Sequence, residues 1–427
     1  MTQKPLTYQY VDGAPHNGVP QNDTSHNDAS QNSTSRSTAR QNTELQKAFA
    51  LDFVQGCVSV QRGDDGWVLP GRFTREQREA LHSCAAWHPG LYRDMAACSA
   101  GIVVAFQTDA SSVDLEVRLH EPSVGTKRSF ELMQQAQVSQ SGDAQLAIFD
   151  GFSYEVNGQY KGMLLAYAQT PGPHTAHTHT LRLALAASDF AHAENLHDLE
   201  KPHDSSKLFS VRIFLPSLQS CELRYLYANG TLLRPLAARP QLLVLGDSIT
   251  QGFICGDPSD SWACCLAKSL DFELINQGVG GQVFMPESLP QPTNAPVSGQ
   301  VPRTLDLACI VVSFGVNYRY EVYPAQKAAR DVKRYLAGIH ARWPQVSCFV
   351  LTPLWYEQGP FSTHPRSCIA DIPDIIRKAV APYAQMQVVD GAKLLDHDPA
   401  LLADGFEHPN AQGHICIAEH LAQIIRS

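Results

Sequence analysis

The sequence predicts a chain in two parts, a β-sandwich followed by a three-layer α/β domain on a parallel sheet. Three observations predict it. Between about residues 45 and 235, apolar and polar residues alternate, and Asp-Gly and Asn-Gly pairs punctuate the pattern. After Arg239-Pro240 the pattern changes to short, continuous apolar runs. Between those runs lie longer stretches with apolar positions three and four residues apart. Alternation marks strands with one buried face, continuous runs mark strands buried on both faces, and the wider spacing marks amphipathic helices. A chain of 427 residues also predicts two domains rather than one. The boundary is expected at 235/236.

Residues 1–44 are rich in Gln, Asn, Ser, Thr and His, as in QNDTSHNDASQNSTSRSTARQN. They hold too little apolar surface to offset the entropy of ordering, so a disordered polar tail is expected. Within the sandwich, 45–235, GIVVAFQTD (101–109) and VDLEVRL (113–119) read as paired strands around a polar turn. AQLAIFDGFSYEVNGQY (144–160) reads as two strands broken by Asp150-Gly151 and Asn157-Gly158, both hairpin signals. HTLRLALA (179–186) and LFSVRIFLP (208–216) alternate in the same way. In 236–427, parallel strands are expected at QLLVL (241–245), FELIN (272–276), LACIVVSF (307–314), CFVLT (348–352) and MQVVD (386–390). AQKAARDVKRYLAGIHARW (325–343) and AQGHICIAEHLAQIIRS (411–427) are expected as helices. Their alternation with strands gives the three layers. No internal repeat is visible.

Composition excludes several classes of function. A formal net charge of −9 argues against a nucleic-acid surface, which needs a basic patch. No run of about eighteen apolar residues predicts a membrane span. The start, MTQKPLTYQYVDGAPHNG, lacks the apolar stretch of a secretory signal. The 11 scattered cysteines read as reduced, mostly buried thiols, so a cytoplasmic location is expected.

The chemistry is concentrated at strand ends, where open parallel sheets form their sites. LLVLGDSITQG (242–252) runs a buried strand into Gly246, Asp247 and Ser248. A serine nucleophile needs a base, an orienting group for that base, and donors for the oxyanion. NQGVGGQ (276–282) follows the second strand of this half and can turn backbone N–H groups to the same rim. SFGVNYR (313–319) follows the third and places the Asn317 amide there. DGFEHPN (404–410) precedes the last helix and offers His408, with Asp404 and Glu407 nearby. Read singly, each is a turn, a helix cap or a loop histidine; together they supply the parts of a hydrolytic site.

In this order the motifs resemble the SGNH hydrolase superfamily, the GDSL esterases and lipases. They stand here as Gly246-Asp247-Ser248, Gly281, Gly315-Val316-Asn317 and His408-Pro409-Asn410. The resemblance implies a flavodoxin-like α/β/α domain, Ser248 as nucleophile and His408 as base. It implies an oxyanion hole from the N–H groups of Ser248 and Gly281 and the Asn317 amide. The β-rich half resembles the jelly-roll-like domain that precedes the hydrolase in some bacterial carbohydrate esterases, with 91–119 and 210–227 as its strands. Two departures stand out. The G-x-N-D motif reads GVNY, with Tyr318 for Asp, and local repacking is expected. The family's aspartate lies three residues before the histidine, a position held by Gly405. Asp404, one residue earlier, is the expected acid if the loop bulges at Gly405. Glu407, Asp247 or a backbone carbonyl are the alternatives.

The expected activity is a metal-independent serine esterase without cofactor. Its expected substrates are short-chain acyl esters of a small molecule or saccharide, with O-acetyl groups as the candidate. A non-catalytic scaffold on a decayed hydrolase fold and an acyltransferase are the alternatives. His174, His177 and His179 in PHTAHTHT lack a third ligand type at metal spacing, and an exposed strand start is expected there. Cys255 is read as a wall residue. GVGG lacks the G-x-G-x-x-G pattern of a nucleotide site.

Overall fold

A computed structural model of the chain describes residues 45–63, 65–84, 90–122, 127, 131, 150–167, 177–186, 208–290, 305–357 and 362–427. The expected polar tail, His174, and residues 144–149 of the expected 144–160 strand pair lie outside the described residues.

The N-terminal part is two antiparallel sheets face to face. One carries β1 (Gln46–Phe49), β3 (Ser59–Arg62), β4 (Val68–Gly71), β6 (Ser112–Leu119), β9 (His177–Ala184) and β11 (Cys221–Ala228). The other carries β2 (Val54–Gln55), β5 (Val103–Thr108), β7 (Asp150–Val156), β8 (Gln159–Tyr167), β10 (Phe209–Phe214) and β12 (Leu233–Pro235). One core joins them, with Val113, Leu115, Val117 and Leu223 from the first sheet and Val104, Phe106, Val211 and Ile213 from the second. β6 shows the alternation as strict burial of every second residue.

Three expectations need correction here. β5 and β6 are not partners. β5 pairs with β10, and β6 with β11 and β9, so the polar turn between them crosses from one sheet to the other. Alternation marks a buried face but not a neighbour. Asp150-Gly151 opens β7 instead of breaking a hairpin, whereas Asn157-Gly158 is the turn between β7 and β8, with φ of 52° and 77°. The Asp150 side chain accepts from the N–H groups of Ser217 and Leu218 at 2.9 and 2.7 Å, which uses the residue elsewhere. Finally, residues 91–96 are helical. Two short helices, α1 (Arg75–Ser83) and α2 (Leu91–Ala96), interrupt the β region. α1 starts on a capping box in which Thr74 and Gln77 exchange hydrogen bonds.

The C-terminal part is a five-stranded parallel sheet in the order β14-β13-β15-β16-β17. These are β13 (Gln241–Gly246), β14 (Glu273–Gly278), β15 (Leu307–Ser313), β16 (Ser347–Leu351) and β17 (Met386–Val389). Each matches an expected run to within two residues. Leu242, Val244, Cys309 and Val311 face α4 (Trp262–Ser269) and α7 (Ala411–Arg426). Leu243, Leu245, Ile310 and Val312 face α5 (Ala325–Arg342) and α6 (Ile372–Val380). Burial on both faces explains why these strands are continuous apolar runs. The register aligns Gly246 with Gly278 on one side and Ser313 on the other. The three following loops, which carry Ser248, Gly281 and Asn317, therefore leave the sheet side by side. Among the described residues, no helix is long and apolar enough to cross a membrane.

Candidate active site

Ser248 opens α3 (Ser248–Gln251), a single turn. Asp247 caps it, accepting from the Ile249 N–H at 3.1 Å, and Gly252 closes it at φ 91°. Gly246 is required where strand passes into helix: a Cβ there would lie 2.0 Å from Thr250 Oγ1 and 2.6 Å from the Ser313 carbonyl. As the first residue of its helix, Ser248 has an N–H without an intrahelical acceptor.

His408 sits in the loop before α7. That loop is tied at its base by Ala403 N–H to His408 C=O at 2.7 Å and Asn410 N–H to Leu401 C=O at 2.9 Å. Asp404 shapes its interior. One carboxylate oxygen accepts from the N–H groups of Phe406, Glu407 and His408 at 3.0, 2.8 and 3.0 Å. The other lies 2.7 Å from His408 Nδ1. Gly405, at φ 74°, provides the left-handed residue that the bulge needs. On the opposite side of the ring, His408 Nε2 lies 2.8 Å from Ser248 Oγ. Ser248, His408 and Asp404 thus form one chain of hydrogen bonds, and all three are buried. Phe253 packs against the imidazole at 5.0 Å between ring centroids.

Burial would raise the Asp404 pKa, but the net shift is downward. The charge and N–H of His408 and the backbone donors hold the carboxyl ionised. Burial would lower the His408 pKa, and here too the net shift is opposite. Asp404, then Glu407 and Asp247, favour the imidazolium. Asp247 itself is pushed up to about 7, by burial first and by the Glu407 charge second.

The alternative orienting groups are occupied elsewhere. Asp247 caps α3, as described. Glu407 turns away from His408 to pair with Arg319 at 3.0 Å, with both side chains almost fully buried. Tyr320 hydrogen-bonds to both members of that pair. The Arg319 guanidinium also lies 4.3 Å from the Tyr356 ring centroid. Sequence reading missed this buried pair, because nothing in the spacing of residues 319 and 407 links them. Tyr318, where the GDSL pattern has Asp, is buried edge-on to Tyr323 at 5.0 Å. Its ring fills space in the core beside α5.

Gly281 and Asn317 lie together. The Asn317 amide donates to the Gln282 carbonyl at 3.1 Å, which leaves its second N–H. The turn carrying Gly281 is tied to the strand and helix of Ser248. The Val279 N–H donates to Gly246 C=O at 2.9 Å and the Gly280 N–H to Gln251 Oε1 at 3.0 Å. Both Gly281 and Asn317 line a cleft of about 420 Å³, along with Tyr92, Met285 and six charged residues, Glu287, Glu321, Lys327, Arg330, Asp331 and Arg334. Ser248 and His408 are not among the residues that line it.

Among the described residues, no group of three His, Cys, Asp or Glu side chains is placed to hold a metal ion. His177 and His179 begin β9. Cys255 is buried with its thiol directed at the Asp257 carbonyl, and burial pushes its pKa far up, so it remains a neutral thiol.

A serine hydrogen-bonded to a histidine, itself hydrogen-bonded to a carboxylate, thus stands at the carboxyl end of the parallel sheet. Residues 244–415 match the GDSL-like lipase/acylhydrolase family model, and this part of the chain is a GDSL-like lipase/acylhydrolase domain. No curated protein matches the sequence. Among solved structures, the chain resembles a salicylyl-acyltransferase from a tetracycline biosynthetic pathway, at 16% identity and TM-score 0.62 over 91% of this chain and 98% of that one. It also resembles a GDSL-like lipase from Bacteroides ovatus, at 14% identity and TM-score 0.56 over 90% and 97% of the two chains. A family two carbohydrate esterase from Cellvibrio japonicus resembles it at 13% identity and TM-score 0.52, over 90% and 97%. In each case the likeness spans both parts of the fold.

Proposed function

We propose that the protein is a serine esterase that hydrolyses short-chain acyl esters of polar alcohols through an acyl-enzyme. The observation that carries this reading is the Ser248–His408–Asp404 chain of two short hydrogen bonds, at the carboxyl end of the parallel sheet. In the first step Ser248 Oγ bonds to the ester carbonyl carbon as its proton passes to His408 Nε2. Asp404 fixes the Nδ1–H tautomer and stabilises the imidazolium that forms. The negative oxygen is received by the N–H groups of Ser248 and Gly281 and by the second N–H of Asn317. The carbon–alkoxy bond then breaks, and the leaving oxygen takes the proton from His408. Water attacks the acyl-enzyme, giving a proton to His408, and the Oγ–carbon bond breaks as Oγ recovers that proton.

The six charged side chains of the adjacent cleft suit a hydroxyl-rich alcohol, whose hydroxyls they can hydrogen-bond. O-acetyl groups on a saccharide fit that chemistry.

The test is a series of p-nitrophenyl esters from acetate to long chains, on the wild type and on Ser248→Ala. Acetate is expected to be the best substrate, and Ser248→Ala to lose about 10³-fold or more in kcat. Equal turnover by a folded Ser248→Ala protein would move the chemistry elsewhere.

A further inference from the structure

We infer that the N-terminal β region is part of the oxyanion machinery, with Tyr92 and Arg72 as positioning residues for the Gly281 N–H. This rests on the esterase reading and extends it to residues outside the GDSL-like domain.

The 279–282 turn is one of the places where the two parts of the chain meet. Val279, Gly280 and Gln282 each donate their N–H to an acceptor within the protein. Among the described residues, the Gly281 N–H is the one amide of this turn with no protein acceptor. Its own carbonyl is held from across the interface, because the buried Tyr92 hydroxyl of α2 donates to it at 2.8 Å. The Gly281 N–H lies in the 280–281 peptide plane. The planes on either side of it are both fixed, 279–280 by the Gly280 N–H and the Val279 carbonyl and 281–282 by Tyr92 and the Gln282 N–H, which limits how far the plane between them can tilt.

Arg72 holds the strand that feeds this turn. It is fully buried, follows β4, and pairs with no carboxylate among the described residues. Its guanidinium donates to four backbone carbonyls. Two are at the end of β14, Asn276 at 3.0 Å and Gly278 at 2.8 Å. The other two, Met95 at 2.7 Å and Cys98 at 2.8 Å, belong to α2 and the segment after it. Burial pushes its pKa down to about 10, so it stays charged at neutral pH. One cation thereby fastens the helix bearing Tyr92 to the strand that ends in the Gly281 turn. Gln77 of α1 adds bonds to Gln277 and to the Ser288 carbonyl, at 2.9 and 2.8 Å. Packing closes the gap, since a Cβ on Gly280 would come within 3.2–3.4 Å of the Met95 side chain.

A buried charge is costly unless its hydrogen bonds are satisfied, and an apolar residue would join two domains more simply. Donors on the backbone of the catalytic turn do what an apolar contact cannot: they set the direction of a peptide plane. Oxyanion donors act only when aimed at the charge that develops in the transition state.

The experiment uses the full chain with Tyr92→Phe, which keeps the ring and removes only the hydroxyl. Three quantities are read: kcat and KM on p-nitrophenyl acetate, inhibition by a small alkylboronic acid that forms a tetrahedral adduct on serine, and the thermal midpoint. Because a donor is loosened and not lost, kcat is expected to fall about tenfold, below the 10²–10³ that removal of a donor costs. KM should change less than twofold, boronate affinity should fall by the same factor as kcat, and the pH profile should keep its shape. Arg72→Lys, which retains charge but cannot span four carbonyls, should follow the same pattern more strongly. An unchanged kcat and boronate affinity in folded Tyr92→Phe, with Ser248→Ala inactive, would overturn this inference and leave the esterase reading standing. Full turnover by Ser248→Ala would overturn both.

Discussion

Replacing Asp404 by Asn tests the acid that stands one residue out of its usual place. The carboxylate has two functions on two oxygens: one accepts three backbone N–H groups, and the other accepts His408 Nδ1–H. An amide has one acceptor oxygen. Directed at the three N–H groups, that oxygen keeps the loop intact and leaves the NH₂ facing Nδ1. The opposite orientation sets NH₂ against three donors and is disfavoured. The favoured orientation makes Nδ1 an acceptor, so the ring proton moves to Nε2 and the ring donates to Ser248 Oγ instead of accepting from it. A base in the wrong tautomer costs about 10⁴-fold in kcat, or about 5 kcal/mol of barrier. Folding should change far less, since the three N–H groups keep their acceptor. The acid limb of kcat/KM should also move. The wild-type limb lies above the ordinary histidine value, because negative neighbours outweigh burial. With the nearest of them neutral, burial gains weight and the limb shifts to lower pH. The assay is kcat/KM against pH with thermal midpoints for both proteins. A variant that keeps more than a tenth of wild-type kcat with its acid limb unmoved would refute the reasoning.

The same pKa shifts separate activity from stability as pH falls. His408 has a raised folded pKa, so its contribution to stability is full below about 6.5 and is lost as pH rises through the raised value. Asp404 has a depressed one, so its contribution is present above about 3.9 and is lost as pH falls through the depressed value. Between the two the protein should be folded and inactive, which circular dichroism and turnover on one pH series would check. Asn317→Ala should lower kcat by about 10²–10³ with a smaller change in KM; a lowered thermal midpoint with turnover intact would remove it from the oxyanion hole. Glu407→Ala strands the buried Arg319 charge and should destabilise the fold by about 3–5 kcal/mol in chemical denaturation. A loss under 1 kcal/mol would mean that the Arg319 charge does not depend on Glu407 for its compensation.

Much of this was legible in the sequence, for reasons particular residues make clear. The runs at 241–245 and 348–352 marked strands because both of their faces are buried, a condition that confines polar residues to their ends, at Gln241 and Thr352. Ser248 and His408 were legible as sequence neighbours of strand and helix ends. Strand partners were not: the alternation at 101–109 and 113–119 shows which side chains enter the core, yet these strands lie in different sheets. The capping box at Thr74 and Gln77 was a signal for α1 that a β-rich reading passed over. Arg72 gave no signal, and Glu407 was visible only as a neighbour of His408, not as the partner of Arg319. Arg72 reaches β14 carbonyls more than 200 residues on, and Glu407 pairs back to residue 319; charge type alone does not reveal such partners.

The central claim is that an acyl group is carried on Ser248. Rapid quenching of the protein with excess p-nitrophenyl acetate at low pH, followed by intact mass and peptide mapping, tests it most directly. Acid protonates His408 and halts deacylation, so the mass of one acetyl group should accumulate on the peptide containing Ser248, and Ser248→Ala should show none. Acetylation of another residue at the rate of turnover, with Ser248 unmodified, would contradict the account.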